Sequence, residues 1–480
     1  MEYDIIIAGA GMAGNIAAYT AAKAGAKVLL LDRNKEEEVG KKTNWGWVCG
    51  DAIAKAHLEF VKKHTGLEFD FPELDNRIEA VVAYSPDLES KFNFEGEGFA
   101  LNRPLFEAKL LSYAKKAGTE YQSEFEIEGP IIENEKVVGI KGKDKNKNHT
   151  EIRGKIVIDA LGISTTLRRY LPQNPYIDNN IDINDLELTG RFLYKATFSK
   201  EDKRYYDKNI AIIHLNQVLA PGGYGWVFPK SGNEVNIGLG VQQASLDYAN
   251  KKLGKKENLH SLMDAYAKQL PVFEKLEPFE EGNGANKSTG YWSVSVRRQM
   301  ESLVYNGYMG AGDSMAMPNP LSAGGIGPAL TAGILAGENA VKAIQNGDTS
   351  IKGLWQYNID FNNEYGKKTA ALEAFRIYLQ SLNNDIINYG FKVFLTAKEA
   401  EELSYGTVPE LSMKSKFKIV LKGMSNIKAF NNLLYIIDKM KMFNELYSRY
   451  PSNPQEFQGW KNNVKKEIEL LKERFKPMPV

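Results

Sequence analysis

Cysteine is almost missing from this chain of 480 residues, which contains only Cys49. A single thiol cannot form an internal disulfide, so we expect a reducing compartment, the cytoplasm. Histidine is also scarce. The five histidines are scattered without the spacing of metal ligands, and we therefore predict no metal site.

An excess of either charge is lacking as well, since 61 basic and 60 acidic residues give a formal net charge of +1. Such a balance gives no overall attraction for nucleic acid, which we exclude as a partner. No apolar run reaches the ~20 residues that a membrane-spanning helix needs. Asp4 interrupts the position where a signal peptide would begin its apolar core, and we predict no secretion signal.

The chain opens with the pattern of a dinucleotide-binding βαβ unit. Residues 5–7 form an apolar β-branched run, which is typical of a buried parallel strand. The glycines that follow (Gly9, Gly11 and Gly14) allow a tight turn, a close backbone approach to a pyrophosphate and close packing of the next helix. A second strand ends at Asp32, whose carboxylate can accept hydrogen bonds from a ribose. A glycine-rich turn without a ligand would leave the position of Asp32 unexplained.

Two later strands end where they could reach the same ligand. An apolar run at 156–158 ends in Asp159 and a turn of small residues. Residues 308–313 deliver Asp313, and a glycine-rich loop then opens an alanine-rich helix at 328–344. The free N–H groups of that helix carry partial positive charge, which would stabilise a reduced flavin ring. The alternative is a structural connection with an incidental aspartate.

Antiparallel strands are predicted between these segments, at 77–101 and 186–241. Tyr224, Trp226 and Phe228 alternate along one strand and so share one face. An aromatic stripe of this kind is more often part of a plain core, although a sheet floor beneath a ligand would look the same. Cys49 also has two interpretations, since the thiol can be a small buried hydrophobic group or can lie over the reactive face of a cofactor.

The chain after residue 351 is predicted to be helical. Leu372, Phe375, Leu379 and Leu382 form a stripe that we expect to pack on the catalytic body. Residues 411–480 contain 14 basic and 6 acidic residues, and a helix there has an apolar face. Such a helix is usually docked on its own protein, but it could also rest on an anionic membrane surface or receive an acidic ferredoxin.

The three strand ends together resemble the flavoprotein superfamily of para-hydroxybenzoate hydroxylase, in which they hold one FAD. Within it the chain is similar to the archaeal geranylgeranyl reductase family. The similarity lies in Tyr-x-Trp-x-Phe-Pro at 224–229, Gly-x-Gly at 238–240 and the pair Cys49–Gly50, with further matches at 363–366 and 388–390. Trp45 and Trp47 depart from the shorter, proline-containing loop of that family.

The resemblance implies an α/β fold with a Rossmann-like FAD-binding domain, an inserted antiparallel β-sheet substrate domain and a helical C-terminal region. The domains are predicted at 1–76, 100–172 and 290–350 for FAD binding, 77–99 and 173–289 for substrate, and 351–480 for the helical region. The implied cofactor-binding residues are Gly9, Gly11, Ala13, Gly14, Asp32, Arg33, Cys49, Gly50, Ala52, Arg103, Ile127, Asp313, Gly325 and Ile326. The implied substrate-lining residues are Tyr224, Trp226 and Phe228, and Cys49 is expected to line the reaction site.

The activity implied by the resemblance is FAD-dependent reduction of isolated double bonds in geranylgeranyl chains of archaeal membrane lipids or their prenyl precursors. Hydride would come from flavin N5, and Cys49, Tyr224, His57 or water could supply the proton. The alternatives are a flavin monooxygenase of the same superfamily and a non-catalytic FAD-containing carrier of prenyl lipids. The substrate could be a prenyl diphosphate or the assembled lipid, and the electron donor NADPH or reduced ferredoxin. We expect a cytoplasmic protein, with peripheral contact at the inner face of the cell membrane left open.

Overall fold

The computed structural model describes residues 2–39, 49–198, 207–270, 273–278, 289–394, 396–408 and 427–477. Trp45, Trp47 and the first part of the basic C-terminal segment, residues 411–426, lie outside the described residues.

The strands are β1 Tyr3–Ala8, β2 Val28–Leu31, β3 Ala52–Ala54, β4 Leu74–Tyr84, β5 Lys91–Leu101, β6 Glu120–Gln122, β7 Glu126–Glu133, β8 Lys136–Lys143, β9 His149–Asp159, β10 Leu186–Phe198, β11 Ile210–His214, β12 Gly225–Pro229, β13 Glu234–Gln242, β14 Phe273–Pro278, β15 Thr289–Ser295, β16 Val304–Tyr305 and β17 Tyr308–Gly310. The α-helices are α1 Met12–Lys23, α2 Lys55–Thr65, α3 Arg103–Lys116, α4 Thr166–Arg169, α5 Gln243–Leu253, α6 Leu259–Gln269, α7 Ile326–Gln345, α8 Ile351–Glu364, α9 Thr369–Gln380, α10 Asn384–Tyr389, α11 Ala397–Ser404, α12 Ile427–Ser448 and α13 Phe457–Arg474. A 3-10 turn spans Gly312–Met315, and a π-helical turn spans Gly390–Phe394.

The first sheet has the order β16-β17-β9-β1-β2-β6, and its strands from β17 to β6 are parallel. The antiparallel pair β7–β8 is attached through β9. β1 and β2 are apolar without alternation because both faces of the sheet are covered. Helices α1 and α7 lie close together because of small residues: a Cβ on Gly333 of α7 would lie 2.3 Å from the carbonyl oxygen of Ala13 in α1.

The second sheet has nine strands in the order β14-β10-β13-β12-β11-β4-β5-β3, with β15 also paired to β10. It is antiparallel, as expected, except between β4 and β11, which run parallel from Ala80↔Ile210 to Tyr84↔His214. In the sequence, β5 to β10 lie between these two strands. No short turn joins β4 to β11, so they need not run antiparallel as the strands of a hairpin must. The hairpin β12–β13 aligns Phe228 with Asn236.

Helix α9 joins the two sheets to the C-terminal helices through buried ion pairs. Glu373 accepts a hydrogen bond from Nη1 of Arg298 at 2.7 Å, and Arg376 donates to Oδ1 of Asp185 at 3.1 Å. The partners come from three separate parts of the chain. A movement of α9 that separated these partners would leave buried charges uncompensated, which is costly. The network therefore fixes the position of α9.

The apolar face of α12 is buried against the protein itself. Leu433, Ile437 and Met440 are at most 3% exposed, and α12 packs on α9. That face is therefore not available as an apolar surface for a membrane contact. In the part of the chain that the structure describes, every helix is too short or too polar to cross a bilayer.

The division into three domains stays a prediction. β4 begins at Leu74, before the predicted boundary at residue 77, and β3 at 52–54 pairs with β5 in the second sheet. Strand pairing thus links segments that the sequence assigned to different domains.

Candidate active site

A cavity of about 1350 Å³ lies between the two sheets and the C-terminal helices. It exceeds the roughly 300–1,000 Å³ of ordinary small-molecule pockets. Its wall includes the glycine-rich turn after β1, the aromatic strand β12 and residues of α9, α10 and α11. The cavity therefore has room for more than one ligand group in a continuous line.

The predicted cofactor-binding residues are brought together along this cavity, with one exception. Those that line it are Gly9, Gly11, Ala13, Asp32, Arg33, Cys49, Gly50, Ala52, Arg103, Ile127, Asp313, Gly325 and Ile326. Gly14 lies beneath the turn, where a Cβ would come within 1.8 Å of the carbonyl oxygen of Gly9. Gly14 therefore permits the packing of α1 under the turn and does not itself line the cavity.

The glycine-rich turn exposes backbone donors to the cavity. Gly9 has φ of +99°, a conformation that a side chain disfavours, and its Cβ position lies 2.5 Å from the carbonyl oxygen of Ala160. Gly11 is the N-cap residue of α1 and has no side chain that could accept from the first N–H groups of the helix. These groups are free to donate to an anion such as a pyrophosphate.

Asp32 is held rigidly at the end of β2. Its Oδ2 accepts a hydrogen bond from the backbone N–H of Ala10 at 2.7 Å, and its Oδ1 accepts from that of Asn34 at 2.8 Å. Each carboxylate oxygen keeps a further lone-pair direction, and the residue lines the cavity. This arrangement fits the hydroxyl groups of a ribose.

Asp313 and the start of α7 also line the cavity. Burial raises the pKa of the Asp313 carboxyl, whose Oδ1 lies 3.4 Å from the Cβ position of Gly325. Gly325 caps α7 without a side-chain hydrogen bond, and Gly325, Ile326 and Gly327 line the cavity, so the helix begins at the cavity wall. A polar group of a ligand could contact Asp313 while an electron-rich ring edge contacts the helix start.

His57 packs directly on the first turn of α7. A Cβ on Gly327 would lie 2.2 Å from the ring of His57, so glycine is required there. Burial, assisted by the positive charge of Lys368, lowers the pKa of His57 to about 4. The imidazole is therefore neutral near pH 7, which makes it a poor source of a proton.

Asp159, at the end of β9, supports the site through hydrogen bonds but does not line the cavity. Its Oδ2 accepts from Thr165 Oγ1 at 2.6 Å and from the hydroxyl of Tyr308 at 2.8 Å. The residues that follow it, Ala160 and Leu161, do line the cavity. This strand end, which the sequence predicted to reach the ligand, therefore contributes Ala160 and Leu161 to the cavity wall and not the side chain of Asp159.

Cys49 and Gly50 pack against the aromatic strand. A Cβ on Gly50 would lie 2.6 Å from the ring of Phe228. Asn236, which sequence reasoning did not select, donates from Nδ2 to the carbonyl oxygen of Cys49 at 2.8 Å and accepts from the indole N–H of Trp226 at 3.0 Å. An asparagine inside the apolar run 235–241 was the available signal. Burial raises the pKa of the Cys49 thiol, which is therefore protonated at neutral pH.

Tyr224, Trp226 and Phe228 line the middle of the cavity with ring centroids 6.1 and 6.2 Å apart. The hydroxyl of Tyr224 donates to the carbonyl oxygen of Ser322. Burial raises the pKa of Tyr224. The aromatic stripe is thus both well packed and on the cavity surface.

Part of the cavity wall is an apolar chamber, which the sequence did not locate. Its residues alternate along three strands and recur along the helices that face them. The chamber is lined by Val81, Ala83, Phe92, Phe94, Ala211, Ile213, Leu215, Phe375, Tyr378, Leu379, Leu382, Ile386 and Phe391. The helical stripe predicted at 372–382 contributes three of them.

The residues present fit FAD, since the glycine turn, the fixed carboxylate of Asp32 and the two uncapped helix starts face one elongated cavity. Family comparisons agree. Residues 4–165 match the model of FAD-dependent oxidoreductases, and residues 193–280 match the geranylgeranyl reductase catalytic domain. Fold and site together define an FAD-dependent oxidoreductase.

Proteins of similar sequence identify the family within this class of oxidoreductases. A digeranylgeranylglycerophospholipid reductase of Sulfolobus acidocaldarius is 33% identical over 97% of both chains, and one from Methanococcoides burtonii is 30% identical over 84% of this chain and 87% of its own. The chain belongs to the digeranylgeranylglycerophospholipid reductase family. A geranylgeranyl bacteriochlorophyll reductase-like structure from Thermoplasma acidophilum shares the fold, with a TM-score of 0.71 and 21% identity over 91% of this chain and 99% of its own.

Proposed function

We propose that this protein reduces isolated double bonds of geranylgeranyl chains in archaeal membrane lipids. One observation carries the proposal: the dinucleotide-binding turn, the aromatic strand and the apolar chamber all line one cavity. An unfunctionalised prenyl chain offers only apolar surface for recognition, and this chamber presents a matching surface. The names of the relatives point to the same substrate class.

Chain binding is proposed to be driven by the hydrophobic effect. At roughly 0.8 kcal/mol per buried methylene, a C20 chain offers on the order of 15 kcal/mol of gross transfer free energy. Much of this is offset by the lost freedom of a flexible chain. The remainder can place one double bond against the reactive ring, where contact distances of about 3–3.5 Å are productive.

Bound and reduced FAD supplies hydride at N5, and the chain's residues supply position and enclosure. We propose that Gly9, Gly11 and Asp32 hold the adenosine and pyrophosphate portion, while Asp313 holds the ribityl chain. Trp226, held by Asn236, would form the floor for the prenyl chain, and Cys49 would line the reaction site. The apolar walls would keep water and oxygen from the reacting atoms.

We propose that electrons arrive from an external donor, NADPH or reduced ferredoxin. A diether lipid with two prenyl chains stays in a bilayer, so we also propose a peripheral contact with the inner face of the membrane. Anaerobic stopped-flow reduction with each donor tests the first point. Flotation with liposomes of unsaturated archaeal lipid tests the second, and protein that stays at the bottom of the gradient contradicts it.

The function is tested under anaerobic conditions with dithionite-reduced protein. Addition of geranylgeranyl diphosphate or unsaturated diether lipid should restore the oxidised-flavin absorbance, with a product two mass units heavier per reduced bond. A fully saturated chain is the matched control and should restore nothing. If the flavin stays reduced until oxygen enters, the monooxygenase alternative is favoured. Tight binding without reoxidation would favour the carrier.

A further inference from the structure

A carboxyl group lies inside the cavity, beside the aromatic strand. Glu187, in β10, is 4% exposed and lines the cavity, although the surrounding wall is largely apolar. Oε1 accepts a hydrogen bond from Nε2 of Gln380 at 3.3 Å. The same nitrogen donates to the carbonyl oxygen of Gly222 at 2.7 Å, so Gln380 ties the carboxyl group to the chain just before Tyr224.

The space for this carboxyl group is made by glycines. A Cβ on Gly240 would lie 2.9 Å from Oε2 of Glu187, and one on Gly223 would lie 3.4 Å from it. Gly240 is the second glycine of the Gly-x-Gly pair at 238–240. The first, Gly238, makes room for Trp226, since a Cβ there would lie 2.1 Å from the indole ring. The pair thus accommodates two side chains on one sheet face.

Burial favours the protonated form of the Glu187 carboxyl group below neutral pH. Burial raises its pKa to about 7, against the opposing effect of Arg376 on α9. Arg376 lies 3.1 Å from Asp185 and 3.5 Å from Glu373, and its Nη1 donates to Oε1 of Gln380 at 2.9 Å, so it reaches Glu187 only through Gln380. The hydroxyl of Tyr224, whose own pKa burial raises, is a further titratable group that interacts electrostatically with Glu187.

We propose that Glu187 is the proton donor for double-bond reduction, an inference that rests on the proposed function. As one alkene carbon accepts hydride from reduced FAD, the π electrons form a C–H bond at the other carbon with the carboxyl proton. The O–H bond breaks, Glu187 is left as a carboxylate, and water protonates it again. Both electrons come from the external donor that reduced FAD.

Glu187 suits this role better than the other candidates lining the cavity. Burial raises the pKa of the Cys49 thiol and of the Tyr224 phenol, and the hydroxyl proton of Tyr224 is already donated to Ser322. His57 is neutral near pH 7 because its pKa is lowered to about 4. A neutral carboxylic acid is the strongest acid among these groups at that pH.

The test compares full-length, FAD-loaded wild type with E187Q and E187D. E187Q keeps the shape and hydrogen bonding but cannot donate an acidic proton. We expect it to slow flavin reoxidation by prenyl substrate by about 10²- to 10⁴-fold, with normal FAD absorbance, and E187D to retain part of the rate. In wild type the rate should fall as pH rises through about 7, and this dependence should vanish in E187Q.

The matched control is E399Q, which changes a buried carboxyl in the capping box of α11 that does not itself line the cavity. Glutamine also serves at that capping position, so E399Q should keep the wild-type rate. Infrared spectroscopy gives a readout independent of turnover: wild type below neutral pH should show a carboxylic C=O band that E187Q lacks and E399Q retains.

The two proposals fail in different ways. If wild type reduces the chain while E187Q keeps the rate and pH profile, the assignment of Glu187 is overturned and the proposed function stands. A C=O band unchanged in E187Q overturns the protonated state of this group. If E187Q does not fold, wild type alone tests the assignment. A rate that does not fall, or a carboxylic C=O band that does not disappear, as pH rises through about 7 overturns it. If wild type fails to reduce any prenyl substrate, the proposed function itself is contradicted.

Discussion

The substitution Gly238→Ala is expected to damage the floor of the cavity and to destabilise the protein. The added Cβ would lie 2.1 Å from Cζ2 of Trp226 and 2.4 Å from the carbonyl oxygen of Gly190. Overpacking of this kind costs about 1–3 kcal/mol. Moving the indole also strains its hydrogen bond to Asn236, which contributes about 1 kcal/mol. We therefore expect the free energy of unfolding to fall by about 2–4 kcal/mol.

A double-mutant cycle with Trp226→Phe identifies the cause. Phenylalanine lacks the indole atoms nearest the new Cβ, while the Gly190 carbonyl stays in place, so rescue should be partial. We expect a coupling free energy of about 1–2 kcal/mol from urea unfolding of FAD-loaded protein followed by circular dichroism. Gly459→Ala, in α13 with no atom within 4 Å, is the control and should stabilise the helix slightly. An unchanged stability for Gly238→Ala, or zero coupling, would refute the steric argument.

Three further predictions concern carboxylates. Asp32→Ala removes the acceptor for two backbone N–H groups and for a ribose, so the Kd for FAD should rise by at least about tenfold, measured by fluorescence titration of apoprotein. Since burial raises the folded pKa of Glu187 from 4.5 to about 7, wild type loses stability as pH rises from the lower value to the higher. E187Q should therefore be more stable than wild type by up to about 3 kcal/mol above pH 7 and equal to it at low pH, by urea unfolding. Glu373→Gln removes a buried negative charge that pairs with both Arg298 and Arg376, while Arg298 keeps Glu301, and should cost about 3–5 kcal/mol, with a corresponding fall in Tm.

The dinucleotide-binding part could be predicted because its determinants are local in sequence. Gly9, Gly11 and Asp32 lie within one βαβ unit, where strand, turn and helix follow from residue spacing alone. The aromatic stripe at 224–228 could be placed on one strand face for the same reason, but its location on a cavity could not be deduced. That location depends on which elements cover the face, and these elements are distant in the sequence.

The chamber could not be predicted because no single segment contains it. Its wall combines β4, β5 and β11 with α9 and α10, and the parallel pairing of β4 with β11 joins residues more than a hundred positions apart. Glu187 was not predicted as a site residue for a related reason. A glutamate near the start of a strand is normally assigned to the solvent face, and only the pairing of β10 with β13 places it opposite the glycines.

The Gly-x-Gly pair therefore has a physical explanation that the signature alone does not provide. In β13, Gly238 and Gly240 alternate with the fully buried Leu239, so both glycines lie on the cavity face. One leaves room for the indole of Trp226 and the other for the carboxyl group of Glu187. A side chain at position 238 would need to displace the indole of Trp226, and one at position 240 would need to displace the carboxyl group of Glu187. The requirement for glycine at both positions thus follows from the two groups that the site must hold close to one sheet.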